Sequence, residues 1–207
     1  MQMNEFDDLA SGWDSNPMHW ERSKAIAEEM QRLLPLRTGL KALEFGAGTG
    51  ILSFMLKDSF DGITLMDSSS EMVRIINDKV TSSGVQNFKP LLFDLAHYDF
   101  VDEKFDVIFT QMVLHHVEDI ELIIGKFYKM LNAGGYLAIA DLYTEDGSFH
   151  GEGFSGHLGF DVDVLAEELS KYQFKNMSHR KCFTINREIL DHKTQQFPVF
   201  LLTANRT

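Results

Sequence analysis

Hydrophobic positions along the chain switch repeatedly between two periods. Short apolar runs at Leu40–Phe45, Ile63–Met66, Phe88–Phe93, Phe105–Thr110 and Tyr136–Ala140 read as buried strands. The stretches between them repeat at helical spacing. Ile26, Met30, Leu33 and Leu34 share one face of a segment running from Met18 to Leu34, which Pro35 ends. A helix starting near Gly50 buries Leu52, Met55 and Leu56. Ser68 and Glu71 form a capping box ahead of Met72, Ile75, Ile76 and Val80. Asp119 caps a helix carrying Ile123, Phe127, Met130 and Leu131 inward, and Asn132-Ala133-Gly134-Gly135 stops it. Val162, Leu165, Leu169 and Tyr172 mark a last helix. Lys181–Ile185 and Phe197–Thr203 close the chain as a strand pair, with Pro198 expected at a strand start. Strand–helix alternation of this kind predicts an α/β, doubly wound, mainly parallel sheet. Pro90 cannot donate to a ladder, so the strand at 88–93 should lie on an edge. Residues 144–160 hold five glycines without periodicity and are predicted to be a long loop.

Length adds that this is one domain, 1–207, with an N-terminal helical segment (1–36) ahead of the sheet core (37–207). No apolar run approaches the roughly 20 residues of a membrane helix. Met1-Gln2-Met3-Asn4-Glu5 lacks the basic and apolar stretches of a signal peptide. The single cysteine, Cys182, excludes an internal disulfide and a Cys-rich zinc site, and a cytoplasmic location fits best. A net charge of −12 disfavours nucleic acid, leaving a small molecule as the expected partner.

The chemistry-bearing feature is Glu44-Phe45-Gly46-Ala47-Gly48-Thr49-Gly50, a strand ending in an acid followed by a glycine turn. Ile51 stands where a dinucleotide fingerprint needs glycine or alanine, and no Lys-Ser or Lys-Thr follows for a phosphate loop. Strand ends carry Glu44, Asp67, Asp94 and Asp141, and ligands of doubly wound sheets bind at such ends. Asp67 is placed to accept from two ribose hydroxyls, because a carboxylate is acceptor-only. Asp94 with the Leu95 N–H is placed to read an adenine edge, and Glu44 to favour an ammonium. Asp141 reads equally as a plain turn acid.

The E-x-G-x-G-x-G motif, together with Leu65-Met66-Asp67-Ser68-Ser69, Phe93-Asp94-Leu95, Phe105-Asp106-Val107-Ile108, Leu114-His115-His116-Val117 and Leu131-Asn132-Ala133-Gly134-Gly135, resembles the class I S-adenosylmethionine-dependent methyltransferases. Within them it is most similar to the small-molecule group that includes quinone-biosynthesis enzymes. The resemblance implies a seven-stranded sheet of order 3-2-1-4-5-7-6 with strand 7 antiparallel, in which strand 3 is an edge as Pro90 requires. It implies S-adenosylmethionine as cofactor, with contacts at Glu44, Gly46, Ala47, Gly48, Gly50, Asp67, Ser68, Met72, Asp94, Leu95, Gln111 and Met112. It also implies that the N-terminal segment, with Phe6, Trp13, Met18 and Trp20, acts as a lid. A homodimer contact is the competing use of its tryptophans.

Methyl transfer needs alignment and, for a hydroxyl acceptor, a base. His115, His116, His150 and His157 are the candidates, each with a packing or surface role as its alternative. His150 and His157 have only Glu152 near them as a third ligand, so no metal site is expected. A non-catalytic cofactor-binding module and a nicotinamide oxidoreductase are the other function classes. Ile51 and the acid at 94 argue against the second.

Overall fold

A computed structural model of the chain describes residues 6–189 and 193–207. Strands β1 (Lys41–Phe45), β2 (Gly62–Asp67), β3 (Phe88–Leu92), β4 (Phe105–Gln111), β5 (Leu131–Leu142), β6 (Phe174–Glu188) and β7 (Thr194–Arg206) form one sheet of order β3-β2-β1-β4-β5-β7-β6. β1 to β5 are mutually parallel neighbours, and β7 runs antiparallel to both β5 and β6. This is the order the motifs implied, with Pro90 on the edge strand.

Successive residues of a strand point to opposite faces, so each strand feeds two cores. Ala42, Ile63, Leu65, Val107 and Phe109 pack on the face covered by α1 (Pro17–Leu33), α2 (Ile51–Leu56) and α3 (Ser70–Ser83). Leu43, Met66 and Ile108 pack on the other, beneath α4 (Ile120–Met130) and α5 (Val162–Lys171). The helices start where the chain supplies caps. Asn16 accepts from the Met18 N–H, with Pro17 at the first helical position, and Asp119 and Asp161 cap α4 and α5.

Three local expectations need correction. Ser69, not Ser68, caps α3, accepting from the Met72 N–H at 3.1 Å. The closing strands are far longer than the apolar runs at 181–185 and 197–203. β6 pairs with β7 alone, and an edge strand with one free face keeps polar residues that hide its length. Pro198 lies inside β7 rather than at its start. The β5–β7 register ends at Leu142↔Val199, and just beyond it Pro198 needs only its carbonyl, which accepts from the Tyr143 N–H at 3.1 Å, so proline's missing donor breaks no bond of that ladder. The 144–160 segment holds neither helix nor strand, and it is tied down by Thr144 N to Phe160 O (3.1 Å), Glu145 N to Leu158 O (3.0 Å) and His157 N to His115 O (2.8 Å).

Candidate active site

The carboxyl ends of β1, β2 and β4 open into a cavity of about 720 Å³, within the range of small-molecule sites. A smaller cavity of about 150 Å³ lies at the opposite ends of the same strands.

One wall is the turn after β1. Gly46 (φ +67°) has no room for a side chain, since a Cβ would meet Val113 Cγ2 at 2.4 Å. Gly48 (φ +55°) differs: a Cβ there would have only Trp13 Nε1, at 3.8 Å, nearby, so its bare backbone faces open space. Asp67, at the end of β2, is buried and braces this turn. Its Oδ2 accepts from the Gly48 N–H at 2.7 Å and its Oδ1 from the Ser69 N–H at 2.8 Å. Burial raises its pKa, opposed by the backbone N–H groups of Ser69, Gly48 and Ser68. Ser68, Met72, Gln111 and Met112 also line the cavity. Met112 has φ +55°, unusual for a side chain of its size, at the point where β4 ends.

Glu44, Gly50, Asp94 and Leu95 lie off the cavity wall. Glu44 is fully buried beneath the turn, where one carboxylate oxygen accepts from the Ser53 hydroxyl and Oε1 has no partner. Burial pushes its pKa up to about 8, so at neutral pH it is largely protonated in this arrangement and does not present the charge expected for an ammonium. Asp94 spends its carboxylate on its own turn, accepting from the N–H groups of Ala96 (3.0 Å) and His97 (3.3 Å). Leu95 is buried among apolar side chains.

The N-terminal segment covers the cavity mouth. Phe6, Leu9, Trp13 and Met18 line it. Asp14 holds the segment down, accepting from Thr49 Oγ1 at 2.5 Å and from Lys79 Nζ at 2.8 Å, and Lys79 also donates to the Thr49 carbonyl. Asp7 accepts from Ser69 Oγ at 2.5 Å. Trp20 lies on the outside, its indole N–H donating to the Asp14 carbonyl at 2.9 Å.

The far wall carries the histidines. His115 follows β4 and Asp141 ends β5; both are buried, and His115 Nδ1 meets Asp141 Oδ1 at 2.6 Å. Asp141 is thus no turn acid. Its Oδ1 also accepts from the Leu142 N–H at 2.7 Å. A carboxylate at Nδ1 makes that nitrogen the protonated one and directs Nε2 away from it, and among the described residues Nε2 has no hydrogen-bond partner. His116 and His150 stand beside it, with ring centroids 4.2 and 5.1 Å from His115. Burial, then the neighbouring His115, holds both at a pKa of about 4, so they are uncharged at neutral pH. His157 does not join them. Its Nε2 is engaged with the Val117 carbonyl at 2.9 Å, so its ring braces the loop.

Two basic residues on this wall escaped sequence reasoning. Arg22 is almost fully buried, its Nε without a partner among the described residues, and desolvation lowers its pKa to about 10. The signal was there: Arg22 sits four and eight residues before Ile26 and Met30, on the buried stripe of α1. Arg187 lies at the far end of β6, its guanidinium 5.2 Å from the Phe149 ring. No local pattern places it here.

Residues 43–139 match a methyltransferase domain. An uncharacterized methyltransferase of Schizosaccharomyces pombe is 28% identical over 158 residues, covering 69% of this chain and 54% of its own length. The demethylmenaquinone methyltransferase of Listeria monocytogenes is 26% identical over 174 residues, covering 83% and 69%. The chain spans about half the length of the first curated relatives it matches. Among solved structures, Haemonchus contortus phosphoethanolamine N-methyltransferase 2 in complex with phosphomonomethylethanolamine and S-adenosylhomocysteine superposes with a TM-score of 0.72 at 18% identity, over 90% of this chain and 52% of that one. Among the described residues no helix is long and apolar enough to cross a membrane.

Proposed function

We propose that the chain is a class I S-adenosylmethionine-dependent methyltransferase, and that it methylates a small-molecule acceptor held between the lid and the histidine wall. One observation carries this reading. The glycine turn, Asp67 and a wall of histidines and aromatic rings face a single cavity. The residues present fit the cofactor: bare backbone at Gly48, a carboxylate able to take a diol, apolar flanks at Met72 and Met112, and the buried Arg22 guanidinium.

When bound, the cofactor supplies a methyl group on a sulfonium, an electrophile needing no further activation. The protein's share is placement. Gly46, Ala47 and Gly48 would let the cofactor's amino-acid end approach bare backbone, and Arg22 would offer its Nε–H to the carboxylate there. Asp67 accepts from the ribose hydroxyls, with Ser68, Met72, Gln111 and Met112 around the base. Glu44, Gly50, Asp94 and Leu95 act from behind, shaping the turn and the strand ends. Phe6, Trp13 and Met18 exclude water from the space between turn and histidines. The acceptor then meets Phe149, Phe154 and the histidine wall, surfaces suited to a planar or partly apolar molecule.

Calorimetric titration with S-adenosylhomocysteine tests the assignment, with micromolar binding expected. Asp67→Ala removes hydrogen bonds worth about 1.5–3 kcal/mol and should weaken binding by about 10- to 100-fold. Unchanged affinity would show that the ribose lies elsewhere. Absence of binding by the wild-type chain would end the reading.

A further inference from the structure

His115, His116 and His150 come together although His150 lies 34 positions beyond His116 in the chain. One ring nitrogen from each lies within 4.8 Å of the other two. We propose that these three histidines bind a divalent transition-metal ion, of the class that prefers imidazole (Zn²⁺, Co²⁺, Ni²⁺), on the wall of the cavity.

Three independent features support it. His115 is set up as a metal-binding histidine: its Nδ1 is fixed by the buried Asp141 carboxylate, leaving Nε2 buried and without a hydrogen-bond partner among the described residues. Carboxylate–histidine–metal relays have this form, and the carboxylate both orients the ring and raises its basicity. His150 Nε2 is likewise buried, without a hydrogen-bond partner among the described residues. A buried polar nitrogen left unsatisfied costs about 1–3 kcal/mol, so two such nitrogens in one small volume call for a common ligand. The third feature is geometry. Metal–nitrogen bonds of about 2.0–2.1 Å in a tetrahedron set nitrogens about 3.3 Å apart. The separations here close to that by about 1.5 Å at most.

Asp141 behind His115 and Glu188 on the cavity wall supply negative charge against the guanidiniums of Arg22 and Arg187. Three protein ligands leave a fourth position open toward the cavity, the arrangement of reactive rather than structural sites. Resting on the methyltransferase reading, this names the acceptor class: a small molecule with a hydroxyl or thiol that can become the fourth ligand, losing its proton to solvent as it binds.

The test uses tag-free full-length protein stripped with a chelator, then titrated with Co²⁺ and followed by its visible ligand-field absorption. One Co²⁺ per chain with tetrahedral-type bands is expected, with affinity weakened at least 10-fold in His150→Gln and in His116→Gln. Both variants lie at the cavity rather than in the core, and their circular dichroism and melting show whether they fold. Asp141→Asn should weaken binding by about 10- to 100-fold. Lack of binding by the wild-type chain overturns the proposal, as does binding that survives in both His→Gln variants at full strength. Titrating the same stripped protein with S-adenosylhomocysteine reads the methyltransferase assignment separately. Cofactor binding without cobalt binding defeats only the metal site, and the reverse result keeps the metal site while defeating the methyltransferase reading and the acceptor class that rests on it.

Discussion

Replacing Glu44 by glutamine should remove the pH dependence of stability that this residue imposes. Its carboxyl is fully buried, and burial lifts its pKa from 4.5 to about 8. The unfolded chain therefore loses this proton near pH 4.5, whereas the folded chain keeps it until about pH 8. Between those values the folded state holds more protons, so stability falls as pH rises and reaches its full loss above pH 8. At 1.36 kcal/mol per pKa unit the total is on the order of 5 kcal/mol. Glu44→Gln has no proton to lose. Its amide oxygen can still accept from Ser53, but its NH₂ is left unpaired at about 1–3 kcal/mol. The two proteins should therefore be nearly equal at pH 6, with the variant more stable by about 2–4 kcal/mol at pH 8.5. Urea unfolding at both pH values measures this; with a slope of about 2 kcal/mol/M the midpoints should separate by about 1–2 M at the higher pH. Comparing variant with parent cancels every other titrating group. Parallel pH dependences in the two proteins would refute the argument, because they would mean that Glu44 is hydrated or paired in the native state.

Gly46→Ala should lower stability by about 1–3 kcal/mol and abolish S-adenosylhomocysteine binding, since both its φ of +67° and the Val113 methyls oppose a side chain; calorimetry and thermal melts report the two effects. Asp14→Ala removes the tie from the N-terminal segment to Thr49 and Lys79. The cost to global stability should be under about 1 kcal/mol, because the pair is partly exposed, while limited proteolysis before Pro17 should speed up markedly. Cys182, its thiol pushed up to about 12 by burial, should react with Ellman's reagent far more slowly in the native protein than in urea.

Strand and helix identities were legible because they are local. Each buried strand of the parallel sheet is a continuous apolar run, each helix carries its stripe, and Asp119 marks its own helix start. Pro90 even placed an edge, since one missing donor has the same consequence in any sheet. The glycine turn and Asp67 were legible for the same reason: a backbone turn and the acid ending the next strand lie at fixed offsets in a βαβ unit. Edge strand β6 was legible only at its centre, because a strand paired on one side can stay polar along most of its length.

What no local pattern could supply is which distant residues meet. Asp141 reads in the chain as a turn acid. It becomes the partner of His115 only because β4 and β5 pair in the register Gln111↔Ala140, which brings the two strand ends side by side. His150 and His157 are equivalent by sequence, two histidines in one glycine-rich loop. Folding sends the first against His115 and His116 and the second onto the Val117 carbonyl. Local propensity and hydrophobic period depend on neighbours a few residues away and so are written in the chain itself. Pairings across strands and loops depend on register and closure, and these exist only once the whole sheet has formed.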